Sequence, residues 1–240
     1  MAPPILRVVL KLSGEALAGE GEFGIDANVV RRIGRDVAES AAAGIEIGIV
    51  IGGGNLFRGA ALAETGLNRV TGDHMGMLAT VMNALAFRDA LVSLGARSVV
   101  LSALPIPSLV EGYSTSRAVE LLSQGAVVVF AAGTGNPFFT TDSAACLRGI
   151  EIGADLVLKA TKVDGVYSAD PAKHPNARRF DKLSYDEIIA KDLRVMDLTA
   201  ICLCRDHQMP VVVFDMGTPR AIARIAAGET IGTWIEAGAR

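Results

Sequence analysis

Short apolar segments alternate along the chain with stretches of helical periodicity. The apolar segments that predict buried strands lie at residues 5–12, 45–51, 98–101, 126–131, 155–160, 211–214 and 230–235. Apolar residues recur at helical spacing over residues 26–43, 71–94, 114–123, 141–152, 184–190, 197–207 and 218–227. Strands that are apolar on both faces and alternate with helices are typical of a mainly parallel sheet covered on both sides. Because no repeat or linker interrupts this pattern, we expect an α/β fold in a single domain over residues 1–240.

In sheets of this kind, ligands bind at the carboxyl ends of the strands. The relevant loops follow Leu12, Ile51, Ala131 and Ala160, and each of them carries unusual residues. The chain also holds 26 glycines, concentrated at the ends of apolar runs, where a backbone turns sharply or approaches a ligand.

The first two loops have features of a phosphate site. Lys11 stands beside the glycine turn at Gly14, which offers a point charge and unobstructed backbone N–H groups. A surface lysine ending an edge strand explains Lys11 about as well. Glycines 52–54 follow the second strand, and we expect them to allow close backbone approach to an anion rather than to serve packing. Arg58 would add a fork of donors, unless it forms an ordinary surface salt bridge.

The fourth and fifth strands lead into two further candidate segments. Residues 133–142, which we call the acceptor loop, combine a tight turn, two adjacent aromatic residues and two hydroxyls at a predicted helix start. An anion is favoured there, and the aromatics could wall a base or sugar, although a plain helix cap with core phenylalanines is the alternative. After the fifth strand, Lys159 is either a site residue or an edge residue, since a charge in an apolar strand is costly unless paired. Tyr167 and Asp170 could hold a ring and a ribose, or they could equally be ordinary loop residues.

Composition and charge exclude several classes of protein. The chain has a formal net charge of −3 and no run of 18 or more apolar residues, so we expect no membrane span and no nucleic-acid partner. Its first residues lack the pattern of a signal peptide. Cys146, Cys202 and Cys204 cannot form a closed disulfide set, and we interpret them as buried thiols in a reducing cytoplasm.

Common catalytic templates are absent. No Gly-Lys dipeptide occurs, which excludes a Walker A loop, and neither the protein-kinase signatures nor Gly-x-Ser-x-Gly is present. The three histidines have no metal-ligand spacing. Residues 19–24 fit Gly-x-Gly-x-x-Gly, but they begin too far beyond the first strand for a dinucleotide fingerprint.

Taken together, these segments resemble the bacterial UMP kinases of the amino acid kinase family. The resemblance runs in one register from about Arg7 to Ile235, and residues 133–142 are its most specific part. It implies a three-layer αβα sandwich, a homohexamer, and Mg²⁺-dependent transfer of the ATP γ-phosphoryl to UMP. It also implies possible activation by GTP and inhibition by UTP.

The resemblance further implies which residues bind each ligand. On the ATP side they are Lys11, Leu12, Ser13, Gly14, Gly54, Arg58, Thr161, Tyr167 and Asp170. On the UMP side they are Gly53, Asp73, Thr134, Gly135, Asn136, Pro137, Phe138, Phe139, Thr140 and Thr141. The segment linked to GTP activation is Gly19, Glu20, Gly21, Glu22, Phe23 and Gly24.

This chemistry requires positioning and charge neutralisation more than covalent catalysis. Because the acceptor phosphate is already ionised at neutral pH, no general base is needed. We expect Lys11, Arg58 and Lys159 to be catalytic. Asp197 either orients a catalytic lysine or caps the helix that follows it. The absence of a carboxylate cluster agrees with Mg²⁺ held mainly by ATP phosphates and water, with no metal-ligating residues assigned.

Two other functions fit the same residues. One is an amino acid kinase with a small carboxylate or carbamate acceptor, and the other is a non-catalytic sensor of uridine nucleotides. We also expect self-association through the predicted helix at 71–94. This helix has more apolar residues, including Met77 and Val81, than packing against one sheet face requires.

Overall fold

Nine strands form one sheet that places all four candidate loops along a single edge. The computed structural model describes residues 5–21, 23–57, 66 and 68–238. The strands are β1 (Arg7–Leu12), β2 (Glu46–Ile51), β3 (Ser98–Ser102), β4 (Glu111–Gly112), β5 (Val127–Ala131), β6 (Leu156–Thr161), β7 (Val166–Tyr167), β8 (Arg179–Phe180), β9 (Lys182–Ser184), β10 (Val211–Asp215) and β11 (Thr233–Glu236). The sheet order is β4-β3-β5-β2-β1-β6-β10-β11-β9, while β7 and β8 form a separate antiparallel pair.

In the part of the chain that the structure describes, seven α-helices connect these strands. They are α1 (Ala27–Ala42), α2 (Arg69–Ser93), α3 (Thr115–Ser123), α4 (Thr141–Glu151), α5 (Tyr185–Ala190), α6 (Leu198–His207) and α7 (Ala221–Ala226). Side chains satisfy the first backbone N–H groups of most of them, as at Asp26 for α1, Ser114 for α3 and Ser184 for α5. The predicted helix starts at Asp26, Ser114 and Ser184 are therefore confirmed.

The helices cover both faces of the sheet, which confirms the predicted αβα layering. On one face, Leu10 and Ile49 pack with residues of α1, α2 and α7. On the other face, Val9 and Val128 pack with residues of α3, α4, α5 and α6. Alternate residues of each central strand thus enter opposite cores, because successive side chains of a strand point to opposite faces.

The sheet is mainly parallel, as predicted. Within the described residues, β10 and β11 are the one antiparallel pair of the large sheet. The central strand β1 lies between β2 and β6, and Lys11 is the register partner of Lys159 on β6. Neither lysine therefore ends an edge strand.

Three local elements differ from the sequence prediction. A 3-10 helix at Gly14–Leu17 follows β1 directly. The antiparallel β7–β8 pair forms between the predicted strand at 155–160 and the predicted helix at 184–190. Helix α7 begins only at Ala221, because Arg220 before it has a left-handed backbone with φ of +54° and no capping side chain.

Helix α2 is apolar on two sides. Met77, Val81 and Phe87 face the core, so the expectation that Met77 and Val81 serve self-association is wrong. The exposed apolar residues are instead Met75, Leu78, Met82 and Val92. By length and composition this helix could cross a membrane, which departs from the sequence expectation. Its packing against the sheet, however, is that of a core helix.

Candidate active site at the carboxyl edge of the sheet

Two lysines on neighbouring strands hold one carboxylate. Because Lys11 and Lys159 are register partners in parallel strands, their side chains leave the sheet side by side on the face covered by α4. Asp142, in the first turn of α4, lies between them. Lys11 Nζ is 2.7 Å from Asp142 Oδ1, and Lys159 Nζ donates to Asp142 Oδ2 at 2.7 Å. We call these three residues the lysine–aspartate cluster.

The cluster is shielded from water, and this changes its acid–base properties. None of the three side chains is more than 14% exposed. Burial alone raises the pKa of Asp142, but the ammonium groups of Lys11 and Lys159 outweigh it and hold that pKa below its usual value. Burial lowers the pKa of Lys159, and Asp142 opposes this effect only in part. With both lysines protonated, the cluster carries one net positive charge at the place where we expect phosphates.

Asp197 supports the start of α4 from the neighbouring helix. It caps α6 by accepting from the Ala200 N–H at 3.0 Å. It also accepts from the Ser143 hydroxyl at 2.8 Å and from the Thr140 hydroxyl. Within the part of the chain that the structure describes, Asp142 rather than Asp197 is the carboxylate that contacts the lysines. Of the two alternatives for Asp197, the geometry therefore places it at the helix cap.

A cavity of about 300 Å³ opens on one side of the cluster, between α2 and the acceptor loop. The residues lining it that the sequence had assigned to UMP are Gly53, Asp73, Thr134, Asn136, Phe139, Thr140 and Thr141. Gly54, assigned to ATP, lines it as well, whereas Gly135, Pro137 and Phe138 do not. We call it the acceptor cavity.

Asp73 joins α2 to the acceptor loop at the mouth of this cavity. Its carboxylate accepts from Arg69 Nε at 2.9 Å and from the backbone N–H of Phe138 at 2.8 Å. The Arg69 guanidinium lies 5.6 Å from the centroid of the Phe138 ring. Both Phe138 and Phe139 are exposed, so the alternative that they are core residues is excluded.

The glycine loop after β2 is packed tightly against backbone and helix. A Cβ on Gly52 would lie 2.9 Å from the Gly14 backbone nitrogen, and one on Gly53 would lie 2.8 Å from the Gly76 carbonyl oxygen. The expectation that packing does not explain these glycines is therefore wrong for Gly52 and Gly53. Their small size lets the loops after β1 and β2 meet, in addition to any ligand contact.

Two buried amides hold this glycine loop in place. The Asn83 side chain donates to the Gly52 carbonyl at 2.7 Å and exchanges hydrogen bonds with the Asn55 side chain. Asn55 also donates to the Gly24 carbonyl at 2.8 Å. Gly24 is thus joined directly to the loop after β2. Gly19 comes after the 3-10 helix rather than directly after the strand, which agrees with rejecting a dinucleotide fingerprint.

A second cavity, of about 420 Å³, adjoins the end of β6. Thr161, Tyr167 and Asp170 line it, as expected for ATP contacts. Its opposite wall consists of residues 191–195, which sequence reasoning missed. The Lys159 ammonium donates to the Val195 carbonyl at 2.5 Å, so the cluster borders this cavity directly. We call it the donor cavity.

Leu12 and Ser13, which follow Lys11 in the chain, do not line the donor cavity. The Ser13 hydroxyl accepts from the Ala16 N–H at 3.2 Å and so caps the 3-10 helix. The Leu12 side chain is fully buried in the core, which leaves only its backbone for a ligand. Arg58 and Glu22 lie outside the described residues, so their assigned roles stay predictions.

The segment assigned to GTP activation borders a cavity of its own. Gly19, Glu20 and Gly21 line this cavity of about 520 Å³ together with Lys162 and other residues. Phe23 is exposed. The GTP role itself stays a prediction.

Comparison with known proteins identifies the family of this chain. Residues 6–215 match the family model described as "Amino acid kinase family". The chain belongs to the amino acid kinase family. The mainly parallel sheet with helices on both faces is thus that of an amino acid kinase.

Relatives of this amino acid kinase match over nearly its whole length. The uridylate kinase of Marinobacter nauticus is 63% identical over 234 residues, which cover 98% of this chain and 97% of the relative. That of Legionella pneumophila strain Lens is 60% identical over 231 residues, covering 96% and 94%. The crystal structure of UMP kinase from Bacillus anthracis superposes with a TM-score of 0.95 at 38% identity, covering 99% and 98%.

Sequence reasoning missed the central residue of this kinase's site. Asp142 stood in the acceptor loop, but nothing local distinguishes it from an acidic residue that favours a helix start. A buried lysine in a central strand requires a partner, and this was the one available indication that a carboxylate should face Lys159. Arg69, Met77 and Thr80 also line the acceptor cavity and were not assigned.

Proposed function

We propose that this amino acid kinase transfers the γ-phosphoryl group of ATP to UMP, giving ADP and UDP. The observation that carries the proposal is that the lysine–aspartate cluster adjoins lining residues of two cavities. Thr140 and Thr141 of the acceptor cavity immediately precede Asp142, while Val195 of the donor cavity contacts Lys159. Relatives that are at least 60% identical over nearly the full chain are named uridylate kinases, which supports UMP as the acceptor.

Charge neutralisation is the main task of such a site. Two phosphate-bearing substrates repel each other, and phosphoryl transfer depends on positioning and electrostatic stabilisation. Lys11 and Lys159 provide two positive charges that Asp142 holds in fixed places. Positive charges fixed before the reaction require little reorganisation when negative charge shifts toward the leaving oxygen.

The acceptor needs no base from the protein. A phosphate monoester has a second pKa near 6, so its oxygen is already ionised at neutral pH. The described residues that line the acceptor cavity include no histidine, and Asp73 is engaged by Arg69 and the Phe138 N–H. We assign Asp73 and the acceptor loop to binding and orientation of UMP.

The donor side accommodates Mg²⁺ without a protein cage. Among the described residues, no group of three or more histidine, cysteine, aspartate or glutamate side chains could hold a metal ion. Both oxygens of Asp142 face lysines, so this carboxylate serves charge balance within the cluster. Mg²⁺ bound to ATP phosphates and water fits this donor set, because Mg²⁺ commonly binds through phosphates and few carboxylates. When bound, it would neutralise phosphate charge.

Substrate specificity tests the proposal. ADP release should be measured with UMP, CMP, carbamate, glutamate and aspartate as acceptors in the presence of Mg²⁺ and ATP. We expect turnover with UMP and a strongly lower kcat/KM with CMP, because hydrogen-bonding groups matched to one base are left unpaired by another. Turnover of a carboxylate or carbamate instead would identify a different acceptor. UMP binding without ADP release would identify a sensor.

Regulation, assembly and location extend the proposal. We infer activation by GTP involving residues 19–24, inhibition by UTP, and a homohexamer, all from the family resemblance. The exposed residues Met75, Leu78 and Met82 on α2 support self-association, because clustered exposed apolar residues are typical of protein contacts. The three cysteines are free, which agrees with a reducing cytoplasm, although Cys202 is only half-buried.

A further inference from the structure

The acceptor loop begins with two consecutive residues in the left-handed backbone region. The φ angle is +62° at Ala132 and +58° at Gly133. Glycine adopts this conformation readily, but an alanine does so only when its surroundings hold it there. Ala132 is also fully buried, so its polar backbone groups require partners within the protein. We call these two residues the loop root.

Thr80 of α2 contacts the loop root from one face of the sheet. Its hydroxyl accepts from the Ala132 N–H at 2.8 Å and donates to the Met77 carbonyl at 2.7 Å. Thr80 is buried. One hydroxyl therefore joins the backbone of α2 to the first residue of the loop root.

Arg148 of α4 contacts the loop root from the opposite face. Its Nη2 donates to the Gly133 carbonyl at 3.3 Å, and its Nη1 donates to Glu151 at 2.5 Å. Its guanidinium lies 3.8 Å from the centroid of the Tyr113 ring, and the Tyr113 hydroxyl donates to the same carboxylate at 2.6 Å. The Arg148 side chain is only 5% exposed.

A buried arginine is costly unless its donors are satisfied. The planar guanidinium can serve Glu151 and the Gly133 carbonyl at the same time, which a lysine ammonium cannot do in the same geometry. Arg148 lines neither the acceptor nor the donor cavity among the described residues, so direct substrate contact does not explain it. Gly133, by contrast, lines the acceptor cavity.

We propose that Thr80 and Arg148 are positioning residues that hold the loop root from opposite faces of the sheet and thereby set the affinity for the acceptor nucleotide. This inference rests on the proposed function for its choice of acceptor. It also gives a role to Tyr113, which stacks on Arg148 and shares Glu151 with it. If the loop is already fixed before binding, less conformational entropy is lost when the acceptor binds, and the affinity is higher.

The test compares four variants in the full-length enzyme. Arg148→Lys keeps the charge beside Glu151 but removes the fork that reaches Gly133. Thr80→Val keeps the shape and removes the hydroxyl, whereas Thr80→Ser retains the hydroxyl. Tyr185→Phe is the matched control, because it removes a buried hydroxyl bond to the Met209 carbonyl away from both cavities.

Two measurements are made on each variant: hydrogen–deuterium exchange over residues 132–141, and KM for UMP and for ATP. In Arg148→Lys and Thr80→Val, we expect faster exchange in the loop. We also expect KM for UMP to rise at least about tenfold, because a displacement near 1 Å can cost up to roughly a hundredfold. KM for ATP should change by less than about twofold, since the loop root does not line the donor cavity. Tyr185→Phe should behave like the wild type in both measurements, and Thr80→Ser should lie closer to the wild type than Thr80→Val does in loop exchange.

Unchanged loop exchange in both Arg148→Lys and Thr80→Val would overturn the inference, as would equal rises in the two KM values. A similar effect in Tyr185→Phe would also overturn it, because general loss of stability would then explain the result. If Arg148→Lys does not fold, the Thr80→Val and Thr80→Ser pair decides. If the wild type does not phosphorylate UMP, the proposed function fails, while loop exchange still tests the positioning role.

Discussion

The ammonium group of Lys11 lies 2.7 Å from the carboxylate of Asp142, although the two residues are far apart in the chain. Lys11 lies one residue before the end of β1, and Asp142 lies in the first turn of α4, the helix that follows β5. The contact fixes the lysine at the carboxyl edge before any phosphate arrives. It leads to specific expectations for both residues.

Lys11→Ala should lower kcat and leave folding intact. A compact ammonium at this position can stabilise charge that develops on the bridging oxygen as the phosphoryl group leaves, and such contacts appear in kcat. Loss of one preorganised donor of this type costs on the order of a hundredfold to a thousandfold. Steady-state kinetics measures the effect, and circular dichroism together with UMP binding checks the fold.

Lys11→Arg serves as the matched variant. Because a planar fork does not replace a point charge in a tight glycine turn, we expect incomplete rescue. A kcat for Lys11→Ala within about threefold of the wild type would fall well short of the loss expected for such a group. Lys11 would then have no catalytic role.

Asp142→Asn should destabilise the protein at neutral pH, because two buried lysines lose their counter-charge. Removing one partner of a buried ion pair typically costs about 3–5 kcal/mol. The folded pKa of Asp142 is lowered, so its stabilisation is present above the usual aspartate pKa near 4 and is lost as the pH falls through the folded value. The difference in unfolding free energy between wild type and variant should therefore shrink on acidification. Urea titrations at several pH values measure it, and a difference independent of pH contradicts it.

Asp73→Asn should weaken the binding of UMP. The carboxylate holds the acceptor loop through the Phe138 N–H and faces the cavity where ribose hydroxyls could donate to it. Loss of a contact shared by ground and transition state raises KM with little change in kcat. We expect a rise of about tenfold in KM for UMP, corresponding to about 1.4 kcal/mol for one charge-assisted hydrogen bond.

Asp89→Asn is the control for this variant, since Asp89 lies exposed on the same helix and lines neither cavity. It should leave both KM values near those of the wild type. If Asp73→Asn raises KM for ATP but not for UMP, then Asp73 belongs to the donor side.

Self-association should depend on the exposed apolar stripe of α2. Met75, Leu78 and Met82 are between 40% and 57% exposed and share one helix face. Met82→Glu would place a charge in any contact that buries this stripe, and we expect light scattering to give a lower mass than for the wild type. Leu198→Glu, at an exposed position on α6, is the control and should keep the wild-type mass. A wild type that is monomeric at micromolar concentration contradicts the prediction.

The order of strands and helices could be predicted from the sequence, because local patterns specify it. Alternation of apolar runs with helical periods indicates the layers, and capping residues such as Asp26 and Ser184 mark helix starts within a residue or two. Lys11 stood out because it lies beside the glycine turn at Gly14, and Lys159 because it interrupts an apolar strand with a charge. These features require only neighbours in the chain.

The partners across the fold were decided by the tertiary structure. Periodicity indicated that α2 is apolar, but only packing decided that Met77 and Val81 face the core while Leu78 and Met82 face outward. Likewise, no local feature paired Asp142 with two lysines from other elements. Parallel strands are joined by long crossover connections, so residues that meet at the carboxyl edge are distant in sequence. Their meeting depends on strand order and register, which arise from burial of the whole sheet rather than from any single segment.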